Sequence, residues 1–137
     1  MKKLTLMIAL IGTTGITYGQ TFEKGNLLGF HVWTIDLDPD VTFNQFKEFF
    51  NTKVIPELNK YFPDTKTYLV FGTGGANKNS LGMITVFPSE EVKGRYYNQD
   101  GSRTELGKSA WEKVDPVRSE LNKLGTIDAK YTDWLVQ

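Results

Sequence analysis

The chain has no cysteine among its 137 residues. A disulfide framework, a thiolate metal site and an iron–sulfur cluster are thereby excluded, and stability has to come from an apolar core. There is no run of Lys and Arg either, and 16 basic residues balance 16 acidic ones. Nucleic acid is therefore not an expected partner, because neutralising phosphates needs a basic face. Long hydrophobic runs are missing too: Leu4 to Ile11, broken only by Thr5, falls well short of the ~20 apolar residues that cross a bilayer. Histidine occurs once, at His31.

What is present begins with a tripartite N-terminus. Lys2 and Lys3 lead the short apolar run, and Thr17-Tyr18-Gly19 offers small residues at both recognition positions of a signal peptidase. Residues 1–19 are expected to be a signal peptide cut before Gln20, and the protein to be exported to the periplasm or the extracellular space. With no cysteine after the run, a lipoprotein anchor has no attachment point, so no stable membrane anchor is expected. Residues 20–137 then form one domain of 118 residues, with 14 basic and 16 acidic side chains.

Within that domain two periodicities alternate. Leu27 to Leu37 is dense in β-branched and aromatic residues, with Leu28, Phe30 and Val32 on one face and His31, Trp33 and Ile35 on the other. Both faces read as buried, as in a central strand. Thr42 and Gln45 then form a capping box, and Phe43, Phe46, Phe50, Val54 and Leu58 recur at helical steps. Pro56 predicts a kink near Val54. Thr67 to Phe71 and Leu81 to Phe87 have strand composition, and the turn formers GTGGANKNS between them predict a hairpin with a long tip. Ser89 caps a short helix over Glu90 to Tyr97. Thr104 caps a longer one carrying Leu106, Ala110, Val114, Val117, Leu121 and Leu124, with Pro116 predicting a second kink and Gly125 a stop. Ala129 to Val136 closes the chain as a strand.

This is an α+β order, β-α-β-β-α-β, the split βαβ arrangement of ferredoxin-like domains. Right-handed crossovers give a four-stranded antiparallel sheet of order 4-1-3-2 with the helices on one face. The other face would be bare, and a second copy of the domain is its simplest cover, so a homodimer through the sheet face is expected. On this order, together with GFHVW in the first strand and the closing YTDWLVQ, residues 25–137 resemble the dimeric α/β barrel superfamily. The resemblance implies that two sheets close into a barrel with a cavity in each half. Members include cofactor-independent monooxygenases, haem-degrading enzymes, lactone isomerases, stress-responsive proteins and exported proteins of unknown role.

His31 is the first candidate for chemistry, since its unperturbed pKa lies near neutrality. The expected strand order sets the last strand beside the first, so that Asp133 could raise the basicity of His31 if register and facing allow. Trp33, Tyr68 and Trp134 are candidate walls of a cavity for a small apolar or aromatic ligand. No cofactor is expected. Haem binders of the superfamily typically ligate iron through a helical histidine, whereas His31 lies on a strand. No metal is expected either: a calcium loop starting at Asp36 needs Gly and Glu where Val41 and Lys47 stand. Gly72 to Gly75 lacks the GK[ST] of a phosphate loop and reads as turn geometry. Three functions follow in order of preference. The first is ligand binding without chemistry, the second a cofactor-independent monooxygenase or isomerase with His31 as general base, and the third an envelope interaction or structural module.

Overall fold

The computed structural model describes residues 22–137; the signal peptide read in residues 1–19 and its cleavage site lie outside them. Strand β1 (Leu27–Leu37) is central, paired antiparallel with β3 (Leu81–Phe87) on one side and β4 (Gly125–Leu135) on the other. β2 (Lys66–Phe71) lies beyond β3, giving the order β2-β3-β1-β4. That is the expected topology, with the helices on one face.

The barrel implied by the superfamily resemblance is not formed. β2 pairs only with β3 and β4 only with β1, so both edges of the sheet stay open. Four strands whose neighbours are each rotated by roughly 20–25° make an open twisted sheet rather than a closed one. The architecture is an open ferredoxin-like sheet, not an α/β barrel.

The helix layer starts with α1 (Phe43–Phe49), whose capping box is complete: the Gln45 N–H donates to Thr42 Oγ1 at 3.2 Å and the Thr42 N–H to Gln45 Oε1 at 2.8 Å. The expected kink takes the form of a π-helical turn over Phe50–Val54, which leads into α2 (Ile55–Tyr61). Pro56 has no N–H for the Thr52 carbonyl, and its ring crowds that carbonyl; widening the preceding turn accommodates both. Phe46, Phe50, Val54 and Leu58 nevertheless stay on one buried face.

After α3 (Glu90–Tyr96), capped by Ser89, comes α4 (Glu105–Leu121), which runs through Pro116 as one helix. Its buried stripe is Gly107, Ala110, Val114 and Leu121, while Leu106, expected inside, is 53% exposed. The reason is contact with α3. A β-carbon on Gly107 would stand 2.1 Å from the Tyr96 carbonyl oxygen, so the helices approach along a glycine and turn Leu106 outward. β4 begins at Gly125, four residues earlier than its composition suggests, in register with Leu37. Replacing Gly107 by Ala should lower stability by about 1–3 kcal/mol. The check is a urea titration, in which the midpoint falls with an unchanged slope.

Candidate functional site

The strand registers stack the helix-facing side chains of the sheet into rows. Phe71, Leu81, Trp33 and Ala129 form one row; Leu69, Met83, His31 and Tyr131 the next; Thr67, Thr85, Gly29 and Asp133 the third. In the first row Trp33 is buried and meets the edge of Phe50 with ring centroids 4.9 Å apart. The third row is made of small or polar groups, with Thr67 Oγ1 and Thr85 Oγ1 3.5 Å apart. Helix side chains that meet Trp33 at one end therefore find little to touch at the other. The gap is a cavity of about 370 Å³ floored by His31, Thr67, Met83, Thr85, Tyr131 and Asp133 and walled by Phe62, Lys93, Tyr97, Arg103 and Trp111.

His31 sits opposite Tyr131, with ring centroids 4.6 Å apart. Asp133 is its diagonal neighbour on the same face of β4, but the carboxylate has other partners. Tyr131 donates its hydroxyl proton to Asp133 Oδ1 at 2.5 Å, and Lys93 of α3 donates to Oδ2 in a close ion pair. The Lys93 ammonium also lies 5.6 Å from the Tyr131 ring centre. Gly29 makes this possible, since a β-carbon there would stand 2.9 Å from the Tyr131 hydroxyl. These hydrogen bonds run Lys93–Asp133–Tyr131 and leave the His31 ring out.

Asp133 thus acts on His31 through its charge alone. Burial lowers the His31 pKa from its ordinary value and outweighs the upward pull of Asp133. At neutral pH the ring is an uncharged base facing the cavity. Burial, with the bond to Asp133 and its charge, pushes the Tyr131 pKa far up, so the phenol keeps its proton.

The three aromatic candidates do not share one wall. Trp33 belongs to the core on the helix side, whereas Tyr68 and Trp134, at even-numbered strand positions, lie on the opposite face and are 37% and 61% exposed. The hairpin tip of residues 72–80 lies at the Trp33 end of the sheet, away from the cavity. Conversely, the sequence reading passed over Lys93 and Arg103. Tyr131 was accessible from its two-residue spacing to Asp133, which sets both on one strand face. No local pattern announces that Lys93 of α3 reaches across to β4. Trp111 also lines the cavity and donates its indole N–H to the Tyr97 hydroxyl at 2.9 Å.

Among the described residues no three of His, Cys, Asp and Glu lie together as a metal site, and no helix is long and apolar enough to cross a membrane. No protein-family model and no curated protein matches the chain. Solved structures do. An uncharacterised NIPSNAP-like domain protein from Burkholderia xenovorans superposes with a TM-score of 0.52 at 12% identity, over 84% of this chain and 88% of that one. This likeness establishes the ferredoxin-like fold. SnoaB, a cofactor-independent oxygenase from Streptomyces nogalater, gives 0.44 at 12% identity over 82% and 94% of the two chains. A dimeric ferredoxin-like protein of unknown function from Bacteroides fragilis gives 0.45 at 10% identity over 83% and 99%.

The lowered His31 pKa has a consequence for stability. Above the unfolded value of 6.5 the ring is neutral in both states; below it the unfolded chain takes a proton that the folded chain resists. Its contribution is therefore complete above about 6.5 and is lost as pH falls through the lower folded value. Thermal melts across this window should show the wild type losing stability faster than His31→Asn, and parallel curves would mean that the folded ring protonates as readily as the unfolded one.

Proposed function

We propose that the cavity binds a small, mainly apolar carbon acid and that His31 removes a proton from it without a cofactor, as in an isomerase or a cofactor-independent oxygenase. The observation that carries this reading is an uncharged imidazole on the floor of a cavity that is also lined by a lysine paired with a carboxylate. In the first step the substrate C–H proton passes to an imidazole nitrogen and the electron pair stays on the substrate as an enolate. Lys93 spends one N–H on Asp133, so the remaining ammonium protons can donate to the developing oxyanion. Returning the proton to a different carbon completes an isomerisation. In an oxygenase, the carbanion gives its electron pair to dioxygen, the co-substrate, forming a C–O bond, and the resulting peroxide takes the proton back from His31.

A module filled by its own side chains is a poorer account of a cavity of this size. Binding without chemistry, on the wall of Trp33, Tyr68 and Trp134, has lost its geometry because those residues lie on two faces. The test is exchange of activated C–H protons in heavy water, followed by NMR with β-diketone, naphthol and unsaturated lactone probes. The wild type should accelerate exchange of at least one probe, with a rate that rises through a single ionisation below 6.5 and then levels. His31→Gln should lose on the order of 10²-fold or more. Equal rates in that variant would dispose of His31 as the base, and no catalysed exchange with any probe would leave binding alone.

Homodimer formation and export belong to the same proposal. The face of the sheet turned from the helices carries exposed Tyr68 and Trp134, and a groove of about 630 Å³ lies over its β2–β3 side, lined by Phe22, Tyr68, Val70, Ile84 and Val86. An apolar surface of this kind favours association, and two such sheets packed face to face would bury it. Protein recovered from the envelope or medium of an expressing bacterium should begin at Gln20 and scatter light with twice its chain mass, and Trp134→Lys should halve that mass. An uncut or monomeric wild-type chain would refute the corresponding half.

A further inference from the structure

The charges around the cavity do not cancel. Lys93 and Asp133 neutralise each other in their ion pair, and His31 is uncharged at neutral pH. Arg103, on the loop between α3 and α4, is the remaining charge on the lining. The chain has three arginines. Arg95 binds Asp64 and Glu91, and Arg118 binds Asp115. Among the described residues Arg103 makes no such pair.

Its backbone is nevertheless held in place. The backbone of Arg103 bridges to Tyr97, and the turn between them is closed by the Asn98 N–H donating to the Ser102 carbonyl at 2.8 Å and by Asp100 accepting from the Ser102 N–H at 2.9 Å. The guanidinium lies 4.8 Å over the Trp111 ring, which is itself held through its bond to the Tyr97 hydroxyl. The ring attracts the cation through its face, and among the described residues the guanidinium N–H donors have no hydrogen-bond partner. A guanidinium with free donors at the edge of an apolar cavity matches a carboxylate, which it can bind with two parallel hydrogen bonds.

We infer that the ligand is an organic anion, an aromatic or similarly apolar carboxylate whose body fills the cavity beside Phe62 and Trp111 and whose carboxylate is seated on Arg103. This rests on the proposal that the cavity is a ligand site and adds the chemical class of what enters it. Arg103 is a binding and specificity residue; the proton transfer remains with His31.

The experiment compares two probes of nearly equal shape, 2-naphthoate and its neutral amide, by isothermal titration against the full mature protein. The wild type should bind the carboxylate about tenfold or more tightly than the amide, the worth of a charge-assisted hydrogen bond. That preference should weaken as salt is raised. In Arg103→Gln, with an unchanged melting temperature, the preference should vanish while amide affinity is kept. Equal binding of both probes by the wild type, or a carboxylate preference that survives in Arg103→Gln, overturns the inference and leaves the cavity a ligand site. Binding of neither probe overturns this inference, whereas the heavy-water exchange test decides independently whether the cavity works on other ligands. Since the wild-type comparison needs no variant, it decides even if Arg103→Gln folds poorly.

Discussion

One layer of helices must cover the middle of a four-stranded sheet, and how closely it can settle is set by the side chains between them. At one end Trp33 meets Phe50, and with Phe46, fully buried on the preceding turn, fills the space. Two rows further along, Gly29, Thr67 and Thr85 supply almost no bulk. A close-packed interior cannot be continued over such residues without the helices collapsing onto the strands. The π turn ahead of Pro56 and the glycine contact of α4 with Tyr96 fix where the helices lie, so the gap persists as a cavity.

The polar groups of that cavity are arranged by competition for one carboxylate. Asp133 is bonded by Tyr131 and paired with Lys93, which gives each of its oxygens a partner and locates the ammonium. His31 receives only the attenuated effect of the charge, and burial wins, leaving a neutral base. Had Asp133 bonded the imidazole directly, the ring would be drawn toward its protonated form. The difference comes from the register: Tyr131, not Asp133, stands opposite His31.

The opposite face of the sheet follows the same alternation with a different outcome. Even-numbered positions carry Phe30, Val32, Tyr68, Ile84 and Trp134, apolar enough to seek cover and too far from the helices to obtain it within the chain. β4 is the most exposed strand, and the side chain of Lys93 is where α3 reaches its outer half, at Tyr131 and Asp133. The open edges of β2 and β4 distinguish this sheet from a closed barrel, in which every strand has two neighbours.

Local signals in the chain were sufficient for the element order and the capping of three helices, because each depends on neighbours a few residues apart; the strand order followed from the handedness of the crossovers. Thr42 with Gln45, Ser89 and Thr104 act within one turn, and alternation in Leu27–Leu37 assigns His31 and Trp33 to the same face. The singular histidine was equally plain. What only the tertiary structure decided is which residues from different elements meet. Pairing register separated Trp33 from Tyr68 and Trp134 and put Tyr131 between His31 and Asp133; helix packing brought Lys93 and Arg103 to the cavity and turned Leu106 out. A strand's period tells which of its own residues share a face, but slipping one strand by two residues preserves every face and changes every neighbour. That freedom is removed only when the whole core packs, and the candidate site is assembled from contacts of that kind.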